Sequence, residues 1–340
     1  MTDGGWSRDE SPFHAGEREI QARLGVREKI ERQGRRMVRD YLPDQQREFY
    51  VDLPFLLAGS IDDRGRLWAS ILAGAPGFLS SPDDRTLRVA ARPFPGDPLN
   101  EALAPGAEVG LLGIDLQTRR RNRLNGAVVA TSDAGFEVRA RQTFGNCPKY
   151  IQRRALAPVR GPTEAGASPP GPPRRVDALG DAERTMIERS DTFFIATAFA
   201  GTPGDSTHGV DVSHRGGKPG FVRIDDARTL TFPDFTGNFC FNTLGNLLLD
   251  RRAGLLFVDF VRGDLLYMTG EAEIVWEGAE VTAFAGAERL LRFRLADAIR
   301  VEGVLPLRWA FEEYSPSLVG MGSWEQAART LGGAGASRDE

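Results

Sequence analysis

The sequence predicts a mainly β (α+β) protein of 340 residues, built from two tandem β-barrel units with peripheral helices. Short strand-like runs recur along the chain between Gly, Pro and Asp turns, a pattern typical of sheets that close into barrels or sandwiches. In addition, the phrase GAPGFLSSPDDRTLRV at 74–89 returns as GKPGFVRIDDARTLTF at 217–232, displaced by 143 positions. We therefore expect one β-unit to occur twice, with the two copies packed as pseudo-symmetric partners.

Composition and charge narrow the class of protein. Apolar residues make up 41 % of the chain and charged residues 26 %, as in a soluble globular protein. The net charge of −4 is spread through the chain and no basic block suggests a phosphate-backbone partner, so a nucleic-acid partner is not expected. No apolar run is long enough to span a membrane, and the N-terminus lacks an apolar signal core. These features predict a cytoplasmic protein that binds neither nucleic acid nor membrane.

The chain divides into five predicted parts. They are an N-terminal helical segment at 1–43, a first β-unit at 44–154, a Pro/Gly-rich linker at 155–178, a second β-unit at 179–310 and a C-terminal tail at 311–340. The spacing of apolar residues predicts one or two amphipathic helices within 17–40. Further helices are predicted at about 180–190 and 279–298, and a β-hairpin is predicted around SDAG at 132–135.

Polar residues distinguish the second copy of the repeat from the first. Ser213, Arg215 and Lys218 stand at the end of a predicted strand with Gly216 and Gly217, where the first copy is largely apolar. Cations, a hydroxyl and glycine-exposed backbone amides are the groups that bind phosphate. The second copy also has three asparagines spaced by four, which would share one face if 238–246 were helical. Composition alone leaves a second interpretation open, a charged turn followed by a helix that Asn residues cap.

The motifs of the second copy resemble a known family. DVSHRGGKPGFVRI, TLTFPDFTGNFCFNTLGNLL, GLLFVDF and LLYMTGEAEI are similar to segments of the pyridoxamine 5′-phosphate oxidase-related, FMN-binding split barrels. FHAGEREIQARLGVRE and FGNCPKYIQRR also resemble segments of a duplicated, two-barrel subgroup. The resemblance covers about residues 12–310 and is most specific at 209–273. It implies two tandem FMN-binding split barrels.

The resemblance also implies a set of FMN-binding residues. Its members are Ser213, Arg215 and Lys218 at the phosphate, Asn238, Asn242 and Asn246 along the ribityl or phosphate side, and Pro233 and Asp234 near the ring. Two residues of the same strand end join the predicted site from their position, namely Gly217 and His214, which could contact cofactor or substrate. Lys149 of the first copy either reaches the flavin site from across the interface or lies on a solvated basic face. Family members usually dimerise, with each flavin between two barrels. Two arrangements are therefore open, a homodimer or a single chain in which the first copy replaces the partner.

The expected function is that of an FMN-dependent oxidoreductase acting on an unknown small-molecule substrate or electron donor. No side chain is assigned as a catalytic acid or base, because the flavin itself carries the redox chemistry. The phosphate-binding lysine segment and the Arg-rich C-terminal motif of pyridoxamine phosphate oxidases are not recognisable, so oxidation of vitamin B6 is not expected. The alternative is a non-catalytic protein that binds flavin, deazaflavin or haem, with His14 or His214 as the haem ligand.

Several residues admit two interpretations from sequence alone. His14 either belongs to a helix start or reaches the site, and Arg308 with Trp309 either covers a cofactor or docks the last segment. Cys147 and Cys240 are interpreted as structural thiols, because no CxxC or Cys/His cluster predicts a disulfide or a metal site.

Overall fold

A computed structural model of the chain describes residues 4–157, 171–202 and 205–336. The N-terminal part forms helices α1 (Ala15–Arg23), α2 (Arg27–Met37) and α3 (Asp44–Val51). The first two confirm the prediction for 17–40, whereas α3 was not predicted. Among the described residues, no helix is long and apolar enough to cross a bilayer.

The first β-unit is a seven-stranded antiparallel sheet with one short helix. Its elements are β1 (Phe55–Ile61), β2 (Leu67–Ala73), β3 (Leu79–Ser80), β4 (Thr86–Val89), α4 (Leu99–Ala102), β5 (Glu108–Asp115), β6 (Arg120–Ser132) and β7 (Gly135–Asn146). The strand order across the sheet is β2-β1-β5-β6-β7-β4-β3. Strands β6 and β7 form the hairpin predicted around SDAG.

The second β-unit follows two strands and a helix, namely β8 (Arg153–Ala157), β9 (Arg174–Val176) and α5 (Asp181–Arg189). Its elements are β10 (Thr192–Phe199), β11 (Gly209–Gly216), β12 (Arg223–Ile224), β13 (Thr229–Phe235), α6 (Asn242–Leu249), β14 (Arg252–Val258), β15 (Leu265–Val275), α7 (Ala279–Ala283) and β16 (Ala287–Val301). The C-terminal part adds β17 (Arg308–Glu313), a 3-10 turn (Pro316–Leu318) and α8 (Trp324–Ala336).

The two sheets have one strand order. The second runs β11-β10-β14-β15-β16-β13-β12, with β9 added beside β16. Each strand from β1 to β7 therefore has a counterpart from β10 to β16, in the same place and direction. The predicted fold class is confirmed, because the described chain is mainly β and consists of two open, split-barrel sheets with peripheral helices.

Two segment predictions need correction. The helix predicted at 279–298 ends at Ala283, and strand β16 begins at Ala287. In RFRL at 292–295, arginines alternate with buried Phe293 and Leu295, which is the period of a half-buried strand. The predicted linker at 155–178 begins inside β8 and contains β9, and residues 158–170 lie outside the described residues.

The sheets pack against each other where glycine lets their backbones approach. A Cβ atom at Gly110 of β5 would lie 2.3 Å from the Val210 carbonyl oxygen of β11. A Cβ atom at Gly254 of β14 would lie 2.5 Å from the Leu67 carbonyl oxygen of β2. Since β5 corresponds to β14 and β2 to β11, these are two copies of one contact. The packing is pseudo-symmetric, as the repeat predicts.

A continuous apolar core joins the two units. Leu57, Ile71 and Leu112 of the first sheet belong to one buried cluster with Phe194, Val212 and Leu256 of the second. Each unit also has an apolar core of its own on the other face of its sheet. The sheets are thus buried on both faces, and the junction between them is part of the protein interior.

The close approach at Gly110 predicts a strong effect of a single methyl group. We expect Gly110→Ala to lower the free energy of unfolding by about 1–3 kcal/mol, because backbone atoms must move to accommodate the new Cβ atom. Denaturant unfolding measures this change. Gly237→Ala is the control, since a Cβ atom there has nothing within 4 Å. Equal unfolding midpoints for the two variants would contradict the close contact.

Candidate functional site

A cleft between the two units is lined by residues from both. The first unit contributes β6 and the segment that follows β7, and the second contributes β11, β13, the loop after β13, the start of α6 and the start of β16. The packing of the sheets brings these elements together, because β11 of the second unit lies against β5 and β6 of the first.

The charged side chains that line the cleft are mostly cations. They are Arg121, Arg123, Lys149, Arg215 and Arg289, against the two acids Asp234 and Glu288. The chain as a whole carries a net charge of −4, so this excess of cations is local to the cleft. A cleft lined mostly by one sign of charge favours a ligand of the opposite sign.

A buried ion pair between the units forms the floor of the cleft. Arg123 of β6 donates to the Asp211 carboxylate of β11, and its Nη2 donates to Ser213 Oγ at 2.5 Å. Asp211 also accepts from Asn125 Nδ2 at 2.7 Å and from Asn246 Nδ2 at 2.8 Å. Three side chains from β6 and α6 are therefore held by one carboxylate of β11.

A second acid lies between two guanidinium groups at the other side of the cleft. Arg215 Nη1 donates to Asp234 Oδ1 at 2.5 Å, and Arg289 Nε lies 3.5 Å from Asp234 Oδ2. Arg289 is buried, and its Nη1 has no hydrogen-bond partner among the described residues. One carboxylate cannot satisfy both guanidinium groups, so donors remain for a ligand.

Helix α6 begins at the cleft with its first amides uncapped. Phe241 precedes the helix with φ of +65°, and its side chain makes no capping hydrogen bond to the first turn. Phe241, Asn242, Thr243 and Leu244 all line the cleft. The first backbone N–H groups of a helix lack partners within the helix and form its positive end. This end of α6 adds to the positive potential of the cleft.

Several buried polar atoms around the cleft have no protein partner. Among the described residues, neither ring nitrogen of His214 forms a hydrogen bond, nor do Asn146 Nδ2 and Arg123 Nε. Burial lowers the pKa of His214 well below its usual value, and the nearby charges of Arg121, Arg154 and Arg215 lower it further. The imidazole is thus neutral at neutral pH. Since buried polar groups normally have partners, these atoms indicate an absent ligand or water.

The wall of the cleft contains backbone conformations that are costly for large side chains. Tyr150, Phe239 and Phe241 have φ angles of +65°, +62° and +65°. The loop after β13 is held from the first unit, since Lys149 Nζ and Tyr150 OH donate to the Thr236 carbonyl oxygen at 3.4 and 3.0 Å. Such strain, of about 1–3 kcal/mol per residue, concentrates at functional sites.

The structure brings together eight of the eleven residues predicted to bind FMN. They are Lys149, Ser213, His214, Arg215, Pro233, Asp234, Asn238 and Asn242. Gly217 and Lys218 lie outside the cleft lining. The Gly217 N–H donates to the Asp191 carbonyl oxygen, and Lys218 is exposed in the following turn. Asn246 is buried behind the cleft, where it contacts Asp211 and Thr197 Oγ1.

The expectation of one Asn-bearing helix face over 238–246 is only partly correct. Helix α6 starts at Asn242, and Asn238 lies before it, where its Oδ1 accepts from the Cys240 N–H at 3.1 Å. The positive φ angles of Phe239 and Phe241 prevent the helix from extending back to Asn238. The three asparagines therefore have three different environments.

Sequence reasoning missed the cations that the first unit and β16 supply. Arg121, Arg123 and Arg289 line the cleft, but no motif marked them. The available signal was the basic run RRRNR at 119–123, which precedes the predicted hairpin around SDAG. Its distance of about ninety positions from Ser213 hid the contact.

The residues for which sequence analysis left two interpretations open lie in different parts of the structure. His14 is the N-cap of α1, where its Nδ1 accepts from the Gly16 N–H and its ring stacks on Phe199 at 4.4 Å. Trp309 packs in the shared core against Phe55 and Phe260 and is absent from the cleft lining. Cys147 lines the cleft and Cys240 is buried. Within the described residues, no cluster of His, Cys, Asp or Glu could hold a metal ion.

The pseudo-symmetry of the two units defines a second position that is equivalent to the cleft. Side chains fill this second position. Strand pairing matches Arg123 to Tyr267 and Arg121 to Leu265, since each lies opposite equivalent residues of β5 and β14. The repeat matches Ser213 to Ser70 and His214 to Ile71. Leu265, Tyr267 and Ile71 are fully buried in the shared apolar core.

An internal acid occupies the polar centre of that filled position. Asp97 accepts from Ser70 Oγ at 2.6 Å, from the Leu99 N–H at 2.9 Å and from Tyr267 OH at 3.2 Å. Burial raises the pKa of Asp97 to about 7. The two units thus share one architecture, but only one position is open and rich in cations.

Comparisons with known proteins found similar chains among solved structures. No family model and no curated protein matches the chain. Among solved structures, HupZ of Group A Streptococcus is 18 % identical, with 34 % of this chain and 89 % of that chain covered and a TM-score of 0.28. A protein of Clostridium acetobutylicum related to general stress protein 26 of B. subtilis is 11 % identical, with coverages of 38 % and 92 % and a TM-score of 0.27.

A third similar structure is an FAD-binding protein of Mesorhizobium loti. It is 12 % identical, with 38 % of this chain and 97 % of that chain covered and a TM-score of 0.26. The Clostridium protein is described as a member of the pyridoxinephosphate oxidase family, the family that the sequence motifs resemble. Each match covers little more than a third of this chain, which is about the length of one β-unit.

The buried Asp97 predicts a distinct dependence of stability on pH. The folded chain holds the proton up to about pH 7, whereas an unfolded Asp releases it near pH 3.8. Between these values the folded state binds more protons, so this group lowers the free energy of unfolding as pH rises, by at most about 1.4 kcal/mol per pH unit. Asp97→Asn keeps the size of the side chain and should remove this loss. Denaturant unfolding at several pH values tests the difference, and identical pH profiles for the two proteins would contradict it.

Proposed function

We propose that the chain is an FMN-binding flavoprotein of the pyridoxamine 5′-phosphate oxidase-like type, and an oxidoreductase of still unknown substrate. The observation that carries the proposal is a cleft between two split-barrel units where five cations, an uncapped helix start and unpartnered buried donors converge. The sequence motifs of the second unit supply the identity of the cofactor. Both cysteines are free, in agreement with a cytoplasmic location.

The donor set fits a phosphomonoester. Arg123 and Ser213 lie at the floor of the cleft, close to the start of α6, and Arg121 lines the same region. Guanidinium groups, a hydroxyl and helix amides are the usual ligands of a phosphate group. The Arg123 Nε atom is buried and has no hydrogen-bond partner in the part of the chain that the structure describes, which leaves a donor for an incoming oxygen. We assign the phosphate of FMN to these residues.

The remaining lining fits the rest of the cofactor. Asn146 and His214 offer unpartnered polar atoms that would hold hydroxyl groups, and Phe239 and Phe241 offer apolar surface to a flat ring. Arg215 and Arg289 supply positive charge on the side of Asp234. When bound, FMN supplies two-electron redox chemistry. The chain's own residues would bind and orient it, exclude water and supply a positive field.

We further propose that a gene duplication produced the chain and that the first unit acts as the partner barrel. Arg121, Arg123, Lys149 and Tyr150 reach the cleft from the first unit, so one chain contains both walls of the site. The equivalent position around Asp97 is closed by Tyr267 and Leu265. A single chain would therefore bind one flavin, whether or not two chains associate.

The first prediction of this proposal concerns the visible absorbance spectrum. We expect the purified protein, or the protein with added FMN, to show bound oxidised flavin. Arg215→Ala should raise the Kd for FMN by about 10- to 100-fold, because a charge-assisted contact contributes roughly 1.5–3 kcal/mol. The control is Arg294→Ala, which removes an exposed arginine from β16 outside the cleft lining. Absence of any FMN binding by the unmodified chain would overturn the proposal.

A second prediction concerns stoichiometry. Titration with FMN should saturate at one flavin per chain, as measured by flavin fluorescence quenching against protein concentration. Two flavins per chain would show that the position around Asp97 opens, and half a flavin per chain would show that two chains build one site. Either result would contradict the single-chain arrangement.

The alternative of a haem or deazaflavin protein rests on two features of the same cleft. His214 lines it with both ring nitrogens unpartnered among the described residues, and the cations would also accept propionate or phosphate groups. His14 is a poorer candidate ligand, because its Nδ1 accepts a backbone hydrogen bond. A Soret band on adding haem, lost in His214→Ala, would favour that class. Tight binding of a deazaflavin with weak binding of FMN would favour the other.

A further inference from the structure

The N-terminal helix α1 reaches the edge of the cleft through one buried carboxyl group. Glu17 is 2 % exposed, and its Oε1 accepts from Asn242 Nδ2 at 2.5 Å. Asn242 is the first residue of α6 and lines the cleft, whereas Glu17 is absent from the cleft lining. The other carboxyl oxygen accepts from the His14 N–H at 2.8 Å and closes the capping box of α1.

Helices α1 and α6 touch along their backbones. A Cβ atom at Gly16 would lie 2.1 Å from the Gly245 carbonyl oxygen, and one at Gly245 would lie 2.6 Å from Glu17 Cγ. Such an approach leaves no room for either helix to slide past the other. The position of α6 is therefore tied to that of Glu17.

A second hydrogen bond fixes the position of α6, through Asn246. Asn246, one turn after Asn242, donates to Asp211 at 2.8 Å, and Asp211 in turn holds Arg123. The His14 imidazole lies beside Asn246, and burial lowers its pKa to about 4, so it is neutral. Burial also raises the pKa of Glu17 well above its usual value, and the negative charge of Asp211 raises it further. Both carboxyl oxygens of Glu17 accept hydrogen bonds, one from Asn242 Nδ2 and the other from the His14 N–H.

We propose that Glu17 is a positioning residue for the phosphate end of the cleft. By fixing Asn242, it sets the direction of the uncapped start of α6 relative to Arg123 and Ser213, without touching the ligand itself. This inference rests on the proposed function, because it assigns the affected end of the cleft to the phosphate of FMN. It extends the site to the N-terminal segment, which lies outside both β-units.

The proposal predicts different effects on the binding of two ligands, whereas a general loss of stability would weaken the binding of both. FMN and riboflavin have the same ring and ribityl chain, and only FMN has the phosphate. If Glu17 positions the phosphate-binding groups, its loss should weaken FMN binding and leave riboflavin binding nearly unchanged. If Glu17 merely supports the fold, both affinities should fall together.

The experiment compares Glu17→Ala with Ile20→Ala in the full chain. Ile20 is buried on the same helix, so its truncation loosens the packing of α1 and keeps the contact between Glu17 and Asn242. The Kd values for FMN and riboflavin are measured by fluorescence quenching. We expect Glu17→Ala to lower the preference for FMN over riboflavin by about tenfold or more, the effect of losing one buried hydrogen bond. Ile20→Ala should keep the preference within about threefold of the original.

Glu17→Gln keeps the test decisive if Glu17→Ala folds poorly, and a double variant tests whether the effect of Glu17 depends on Asn242. Glu17→Gln has nearly the same size but loses one acceptor, so its preference for FMN should lie between those of Glu17→Ala and the unmodified chain. The double variant of Glu17→Ala with Asn242→Ala should bind FMN no more weakly than Asn242→Ala alone, because both changes remove one contact.

The outcomes separate this inference from the proposed function. If the unmodified chain binds no FMN, the proposed function fails first and the inference fails with it. If it binds FMN but Glu17→Ala keeps the original preference for FMN, the inference alone is overturned. The same holds if Ile20→Ala lowers the preference as much as Glu17→Ala does, or if the effects of Glu17→Ala and Asn242→Ala simply add.

Discussion

The contact between Arg123 and Asp211 is the interaction on which the rest of the site depends. It joins β6 of one unit to β11 of the other in the protein interior, where an unpaired charge is strongly unfavourable. Asp211 also accepts from Asn246, so the same carboxylate fixes the helix that opens onto the cleft. Loss of either charge would leave its partner buried and uncompensated. The cleft and the junction of the units are therefore stabilised by the same few atoms.

The two units share one architecture, but their equivalent positions differ. One position is an open cleft and the other is filled by side chains. At the open position, arginines, a serine and an unpartnered histidine face a cleft. At the equivalent position, Tyr267 and Leu265 fill the space, and Asp97 takes the hydrogen bonds of Ser70 and Tyr267. The backbone pairing is the same in both, so a handful of side chains decides which position is open. In the filled position, the Asp97 carboxyl group accepts the hydrogen bonds of its polar neighbours. In the open position, hydrogen-bond donors remain for an anion from outside the protein.

Much of the architecture could be predicted from local sequence, because turns, alternation and the repeat are local signals. The error at β16 arose where Ala and Leu favour a helix, while the pairing partners β13 and β15 select a strand. The site was predictable on the second unit, where Ser213 and Arg215 sit in a recognisable motif. Arg121 and Arg123 were not, because their role depends on a contact between distant segments. Sequence analysis placed Asn246 along the cofactor, but in the structure it contacts Asp211. This contact depends on three-dimensional packing, which the local sequence does not show.

A strand that follows the second unit also pairs with the segment that lies between the two units. Strand β17, which follows the second unit, pairs with β8, which leaves the first, and Ser315 and Gln152 hydrogen-bond across the same region. The segment between the units is thus held by residues that are synthesised after both sheets. Both β-units must leave the ribosome before β17 can pair with β8, although each sheet is made of strands that are neighbours in sequence. The two units share one strand order, but the segment that joins them is held in place by a strand that follows both.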